Sequence, residues 1–325
     1  MKRRGGRRHI AGMNPKLEVL AGARDGWFTR SDAAHAGYSD SEIRQRLKCG
    51  QWTRLCRDAY VESGAWPDGE LPWDRAIRLH KVLTRVVLSR MTSAVAVSHQ
   101  SAAILHGLPG WGSDLSRVQV TRSTGRTRSD RVTQTHRSPL SPGDTTVVDG
   151  LQVTGVARCI VETTCLSSYE AGVVLSDAAL RAGLVDQDEL IAAADRLKHW
   201  PGSPAAGAAT RFADGRSESV GESRLRVLMA NQGLPAPTLQ AEIRDPDGHL
   251  LGRVDFLLDR VLIVEFDGAQ KYSTDGANVL VAEKWREDRI RELGYSFARF
   301  GWADLAHPTR TANRIRRALT HAAAA

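Results

Sequence analysis

Arg253-Val254-Asp255-Phe256-Leu257-Leu258, then Asp259-Arg260, then Val261-Leu262-Ile263-Val264-Glu265-Phe266-Asp267-Gly268 is the stretch that decides the C-terminal fold. Two apolar runs flank a short polar turn, which predicts a β-hairpin. Side chains alternate along a strand, so Glu265 and Asp267 share one face while Leu262, Val264 and Phe266 share the other. Two carboxylates closing an apolar strand stand at the rim of its sheet. The register has two solutions. A three-residue loop, 259–261, sets Asp255 opposite Glu265 and draws three acids together. A two-residue loop sets Asp255 opposite Val264 and sends Glu265 to the other face.

Upstream, Leu225, Leu228 and Met229 form one apolar helix face, stopped by Gly233, with Glu222 in the first turn. Ser219 and Glu222 also have capping-box spacing, a role that needs no ligand. A strand is expected near Leu239 to Arg244, followed by a turn at Asp245-Pro246-Asp247-Gly248. Downstream come a helix from Asn278 to Leu293, a strand from Tyr295 to Phe300 and a closing helix from Trp302. Clustered carboxylates resist full ionisation, and a divalent cation removes that cost. Oxygen donors of this kind suit Mg2+ or Mn2+. Such an ion polarises a phosphoryl oxygen and supplies hydroxide near neutral pH. A nearby lysine stabilises the charge that develops on phosphorus. Lys271 is the first candidate and Lys284 the second; Lys284 shares its helix with Glu283, Glu287 and Asp288, at spacings that also suit plain ion pairs.

With Glu222, Arg253-Val254-Asp255-Phe256, Val264-Glu265-Phe266-Asp267-Gly268 and the tail Arg289, Leu293-Gly294-Tyr295, Arg299-Phe300, Asp304-Leu305, the segment 217–306 resembles the PD-(D/E)xK nuclease superfamily. Within it, the resemblance is to very-short-patch-repair-like endonuclease domains. It implies a restriction-endonuclease-like α/β domain over 217–321. The implied catalytic set is Glu222, Asp255, Glu265 and Asp267 with Lys271 or Lys284, and Asp255, Glu265 and Glu222 would be the metal ligands. The chain departs from the pattern in two places. The superfamily's lysine two residues after the second acid is here Asp267, and Lys271 stands where many relatives with this Asp-Gly place a His.

At the other end, a helix from Lys16 to Ala23 precedes a turn at Asp25-Gly26, and a helix from Ser31 to Ala36 ends at Gly37. Ser39 and Glu42 open the next helix as a capping box. It carries Ile43 and Leu47 on one face, Arg44 and Lys48 on another, and stops at Gly50. Trp52 to Leu55 and Asp58 to Val61 read as a two-stranded wing. That order is a winged helix-turn-helix over 16–62, with Arg30, Arg44, Lys48 and Arg54 as candidate DNA contacts. The residues Phe28-Thr29-Arg30, Ala36-Gly37-Tyr38-Ser39, Ile43-Arg44, Gly50-Gln51-Trp52 and Tyr60-Val61 resemble the N-terminal domain of AbiEi antitoxins of type IV toxin–antitoxin systems. Ser98 to Pro109 resembles the second part of those antitoxins; His99 and His106 within it read as structural. This resemblance implies DNA binding, autoregulation and a toxin partner protein.

The chain has 325 residues, enough for several domains. A basic leader, 1–15, comes first, and Met13 offers an alternative start. A mixed α/β region spans 73–200, and an Ala/Gly/Ser/Pro-rich stretch, 201–216, reads as a linker, in which Ala205 to Ala213 could form a helical turn or two. The expected class is thus multidomain α/β (α+β). Apolar residues make up 42% and charged residues 25%, an ordinary balance for a protein in water. No apolar run approaches the roughly 20 residues of a membrane span, and no apolar segment behind the leader marks a secretory signal. Four cysteines without zinc-ligand spacing suit a reduced, cytoplasmic compartment. A net charge of +8 favours a polyanion, double-stranded DNA first. The combined expectation is a DNA reader joined to a metal-dependent endonuclease, in phage defence or DNA repair. The alternative is a non-catalytic AbiEi-type regulator. One cleavage site nicks one strand, so double-strand cutting calls for a homodimer or two visits.

Overall fold

Apolar periodicity, capping residues and positive-φ glycines set the element boundaries in a mixed α/β chain. The computed structural model describes residues 13–63, 69–127, 129–268 and 277–324. Contacts divide the chain into two units, one formed by 1–106 with 114–155, the other by 107–113 with 156–325.

In the first unit, α1 (Pro15–Gly22), β1 (Trp27–Phe28), α2 (Arg30–His35), α3 (Asp40–Lys48), β2 (Trp52–Cys56) and β3 (Ala59–Glu62) follow one another. Thr29 and Ser39 each close a capping box, with Asp32 and Glu42, so α2 and α3 begin where the local sequence says. The strands form a three-stranded sheet, order β1-β3-β2. Leu17, Phe28, Ile43, Trp52 and Tyr60 form one core between helices and sheet. Asp58 turns the β2–β3 hairpin at φ 54°, and its Oδ1 accepts from the Arg30 N–H at 2.8 Å, tying that turn to the start of α2.

Further along this unit lie α4 (Pro72–Ser89), β4 (Ala96–Val97), α5 (His99–Leu105), β5 (Val118–Arg122), β6 (Thr133–Arg137), β7 (Thr145–Val148) and β8 (Leu151–Thr154). They build a five-stranded mixed sheet, order β6-β5-β4-β8-β7. Both expected structural histidines make buried or half-buried contacts. His99 stacks on His136 with ring centres 3.9 Å apart, and His106 Nε2 lies 2.8 Å from the Thr154 carbonyl.

The second unit opens with helices α6 (Val156–Leu166), α7 (Tyr169–Arg181), α8 (Gln187–Arg196) and α9 (Ser203–Phe212). Helix α9 falls in the stretch that reads as a linker, where Ala205 to Ala213 are open to a helical turn or two. The small residues there serve close helix packing. A Cβ on Gly172 would lie 2.5 Å from the Thr164 side chain and 2.9 Å from Ala209 Cβ, so α7 can pack this closely on α6 and α9 only with glycine there. Then come α10 (Val220–Asn231), β9 (Thr238–Arg244), β10 (Leu250–Leu258), β11 (Leu262–Phe266), α11 (Ala277–Glu292), β12 (Ser296–Phe300), α12 (Trp302–Leu305) and α13 (Pro308–Ala324). The four strands form a sheet of order β12-β11-β10-β9, with β11 and β12 parallel and the other pairs antiparallel. Helices α10, α12 and α13 bury one face through Leu225, Met229, Leu305 and Ile315. Ile290 of α11 joins Ala241, Val254 and Ile263 in a core on the opposite face. Among the described residues no helix is long and apolar enough to cross a membrane.

Candidate functional site

The hairpin adopts the three-residue solution. Asp259 and Arg260 take φ of 46° and 63°, Val261 N–H donates to the Leu258 carbonyl at 3.1 Å, and the ladder starts with Leu258 opposite Leu262. Leu257 then faces Ile263 and Phe256 faces Val264, which brings Asp255 level with Glu265. This parity keeps Phe256, Leu258, Leu262, Val264 and Phe266 in one core. Asp255 Oδ2 accepts from the Phe266 N–H at 2.8 Å.

Glu222 approaches from α10, which can lie close to β11 because residue 221 is glycine. A Cβ there would stand 1.9 Å from Phe266 Cε1. Half of the expected capping box is present: Ser219 Oγ accepts from the Glu222 N–H at 3.1 Å. The Glu222 carboxylate also reaches beyond Ser219. Its Oε2 accepts from the Glu218 N–H at 2.8 Å and from Gln240 Nε2 at 3.0 Å. Gln240 itself sits at φ 51° in β9, between the residues that pair with Val254 and Phe256.

Burial raises the Glu222 carboxyl above its ordinary value. The Glu218 N–H pulls it down, and the charge of Asp255 pushes it up. Glu265 is likewise raised by burial, opposed by Arg299 and Arg286, with Asp255 again adding to the rise. Asp255 thus acts electrostatically on both Glu222 and Glu265. The three carboxylates are oxygen donors of the kind a hard divalent cation takes, but among the described residues their ligand atoms do not gather within 4.8 Å of one another.

The cation already present is one to which the sequence reading gave no role. Arg299 Nε donates to Glu265 Oε2 at 3.0 Å, and its Nη2 donates to Glu287 Oε2 at 2.6 Å. Asp267 Oδ2 is 3.9 Å from Arg299 Nε, and Arg286 Nη2 is 3.7 Å from Glu265 Oε1. Of the two expected lysines, Lys271 lies outside the described residues, and Lys284 is exposed on α11. Of the acids beside Lys284, Glu287 pairs with Arg291 and Arg299. The Glu283 side chain lies outside the described residues. Gln240 carries no motif signal, and Arg299 entered only within the tail that carries the resemblance, with no role assigned, because each reaches the acids only through strand pairing.

A second acidic group lies elsewhere. Among the described residues, Asp245, Asp247 and His249 bring ligand atoms within 4.8 Å of one another in the exposed β9–β10 turn. Asp245 there also pairs with Arg289 at 3.3 Å.

In the first unit the expected DNA contacts divide. Arg44, Lys48 and Arg54 are exposed. Arg30 is paired with Asp40, Nη2 to Oδ1 at 2.6 Å, so its charge is partly satisfied within the protein. Arg30, Arg54 and Arg57 line an open cavity of about 600 Å³ beside α2 and the β2–β3 hairpin. Arg46 is turned inward, 4.9 Å over the Tyr38 ring and 5.4 Å over Trp52.

No family model matches the chain. Over 177 residues it is 32% identical to two uncharacterized proteins of Mycobacterium tuberculosis, MT2308 of strain CDC 1551 / Oshkosh and Rv2248 of strain H37Rv. The match takes in 54% of this chain, and the chain spans 64% of the length of each relative. Neither name states an activity.

Proposed function

We propose that the second unit carries a divalent-metal-dependent phosphodiesterase site of the PD-(D/E)xK type, and that residues 16–62 act as a winged helix-turn-helix DNA reader. The observation that carries this reading is the hairpin register. It sets Asp255 level with Glu265, and the charge of Asp255 acts on both Glu222 and Glu265, acids 43 positions apart in sequence. Glu222, Asp255 and Glu265 would hold Mg2+ or Mn2+. When bound, that ion supplies Lewis acidity and a nucleophilic water at neutral pH. Asp255 is oriented by the Phe266 N–H, and Glu222 by Glu218 and Gln240, so each would meet an ion with a supporting hydrogen bond. In the reader, Arg44, Lys48 and Arg54 would contact phosphates and fix register on the duplex. The test is nicking of supercoiled plasmid with Mg2+ or Mn2+, alongside an Asp255→Asn, Glu265→Gln variant. Metal-dependent nicking lost in the variant supports the reading, and a folded wild type that cleaves neither DNA nor RNA removes it.

One observation favours a second reading, a non-catalytic AbiEi-type regulator of its own operon acting with a toxin partner. Glu265 is engaged by Arg299 and the position two residues on is an acid, as in a site adapted to ion pairing. Operator binding that is indifferent to metal, together with absence of cleavage, would support it.

A further inference from the structure

A phosphodiester is an anion, and a site made of Glu222, Asp255, Glu265 and Asp267 repels it unless a cation faces the substrate. Lys284 joins none of the ion pairs found among the described residues. Arg286 is 3.7 Å from Glu265, and its Nη1 donates to the Arg253 carbonyl at 3.5 Å. Arg299 is built into the site. The parallel pairing of β11 with β12 sets it directly beside Glu265. Its guanidinium is held at two points, by Glu265 at 3.0 Å and by Glu287 at 2.6 Å, and its side chain is still 38% exposed. Glu287 is a fixed anchor, since its other oxygen accepts from Arg291 at 2.6 Å. Were Glu265 to hold a metal ion, Nη2 would stay on Glu287 and the Nε–H of Arg299 would be free to donate. That N–H carries a permanent charge and suits a phosphate oxygen.

We propose that Arg299 is the phosphate-binding cation of this site, acting from β12 in place of a lysine two residues after Glu265. The proposal rests on the phosphodiesterase reading.

The test uses the full chain as wild type, Arg299→Met and Arg299→Lys. Three quantities are measured: plasmid nicking with Mn2+, calorimetric Mn2+ affinity, and the salt dependence of binding to a short DNA duplex with Ca2+ in the metal site. The expected result for Arg299→Met is a loss on the order of 100-fold in kcat/KM. Mn2+ affinity holds or rises, and the log–log salt slope shrinks by about 0.9, one phosphate contact. Arg299→Lys regains part of the rate. Nicking by Arg299→Met at the wild-type rate overturns the proposal and leaves the phosphodiesterase reading standing. Loss of Mn2+ binding together with nicking overturns it too, making Arg299 a brace for the acids. A wild type that neither binds Mn2+ nor nicks DNA overturns the reading and the proposal with it. Should Arg299→Met fail to fold, Arg299→Gln, whose amide can still donate to Glu265, is judged by the same outcomes.

Discussion

The Phe266 N–H donates to Asp255 Oδ2 at 2.8 Å, so the acid across from Glu265 is held by the backbone of the residue next to the one it faces. Asp255→Ala leaves that N–H without its acceptor in a buried strand, at a cost of about 1–3 kcal/mol. Asp255→Asn keeps an acceptor and should cost under about 1 kcal/mol. Both should abolish Mn2+-dependent nicking. Urea unfolding in EDTA and a plasmid assay separate the two effects, and wild-type nicking by Asp255→Asn would take Asp255 out of the site.

Gly221 lets α10 carry Glu222 against β11. A methyl group there would stand 1.9 Å from Phe266 Cε1. Gly221→Ala should therefore destabilise by about 1–3 kcal/mol through overpacking and weaken Mn2+ binding by moving Glu222 away. Phe266→Leu in the same chain should restore part of both. If the Gly221→Ala melting temperature matches wild type, α10 does not approach β11 as closely as described.

Burial holds Glu222 above the ordinary carboxylate value. A raised acid gives its full stabilisation below the unfolded value and loses it as pH rises through the folded one. Without metal, the protein should lose stability from this group above about pH 4.5. Glu222→Gln should flatten that fall and be the more stable form at neutral pH in EDTA, while saturating Mn2+ should favour wild type. Parallel stability–pH curves for the two proteins would count against this assignment.

Arg226 of α10 is clamped to Asp177 of α7 by two hydrogen bonds of 2.8 Å, with both side chains buried. Burial still raises the Asp177 carboxyl against the pull of Arg226. Asp177→Ala strands a buried guanidinium and should cost about 3–5 kcal/mol. Asp177→Leu with Arg226→Met should recover much of that. Chemical denaturation of the single and double variants measures the coupling; additive losses would mean the pair is not a unit.

On α3, Arg44 and Lys48 are exposed, whereas Arg46 covers Tyr38 and Trp52. Removing Arg44 and Lys48 together should leave stability within about 0.5 kcal/mol and reduce the log–log salt slope of DNA binding by about 1.8. Arg46→Ala should lower the melting temperature instead. Unchanged duplex affinity in the Arg44, Lys48 double variant would argue that α3 does not face DNA.

The local sequence by itself determined much of the element order. Ser39 and Glu42 form their capping box, Gly50 takes φ 70° where α3 stops, and Ile43 is fully buried as its spacing requires. The apolar runs on either side of Asp259-Arg260 become β10 and β11, and Glu222 falls in the first turn of α10. The hairpin register was beyond the sequence because both faces of the sheet are covered. Leu258 and Leu262 enter one core, Leu257 and Ile263 the other, so the apolar pattern satisfies either parity. Helix α9 stayed open between two readings for a related reason, since an Ala/Gly-rich composition suits a linker and a close helix contact equally well. Arg299 reaches Glu265 across 34 positions, through a parallel pairing completed by α11. Only tertiary structure could decide that contact, because strand order and register depend on which surfaces the helices bury, and no local spacing encodes that choice.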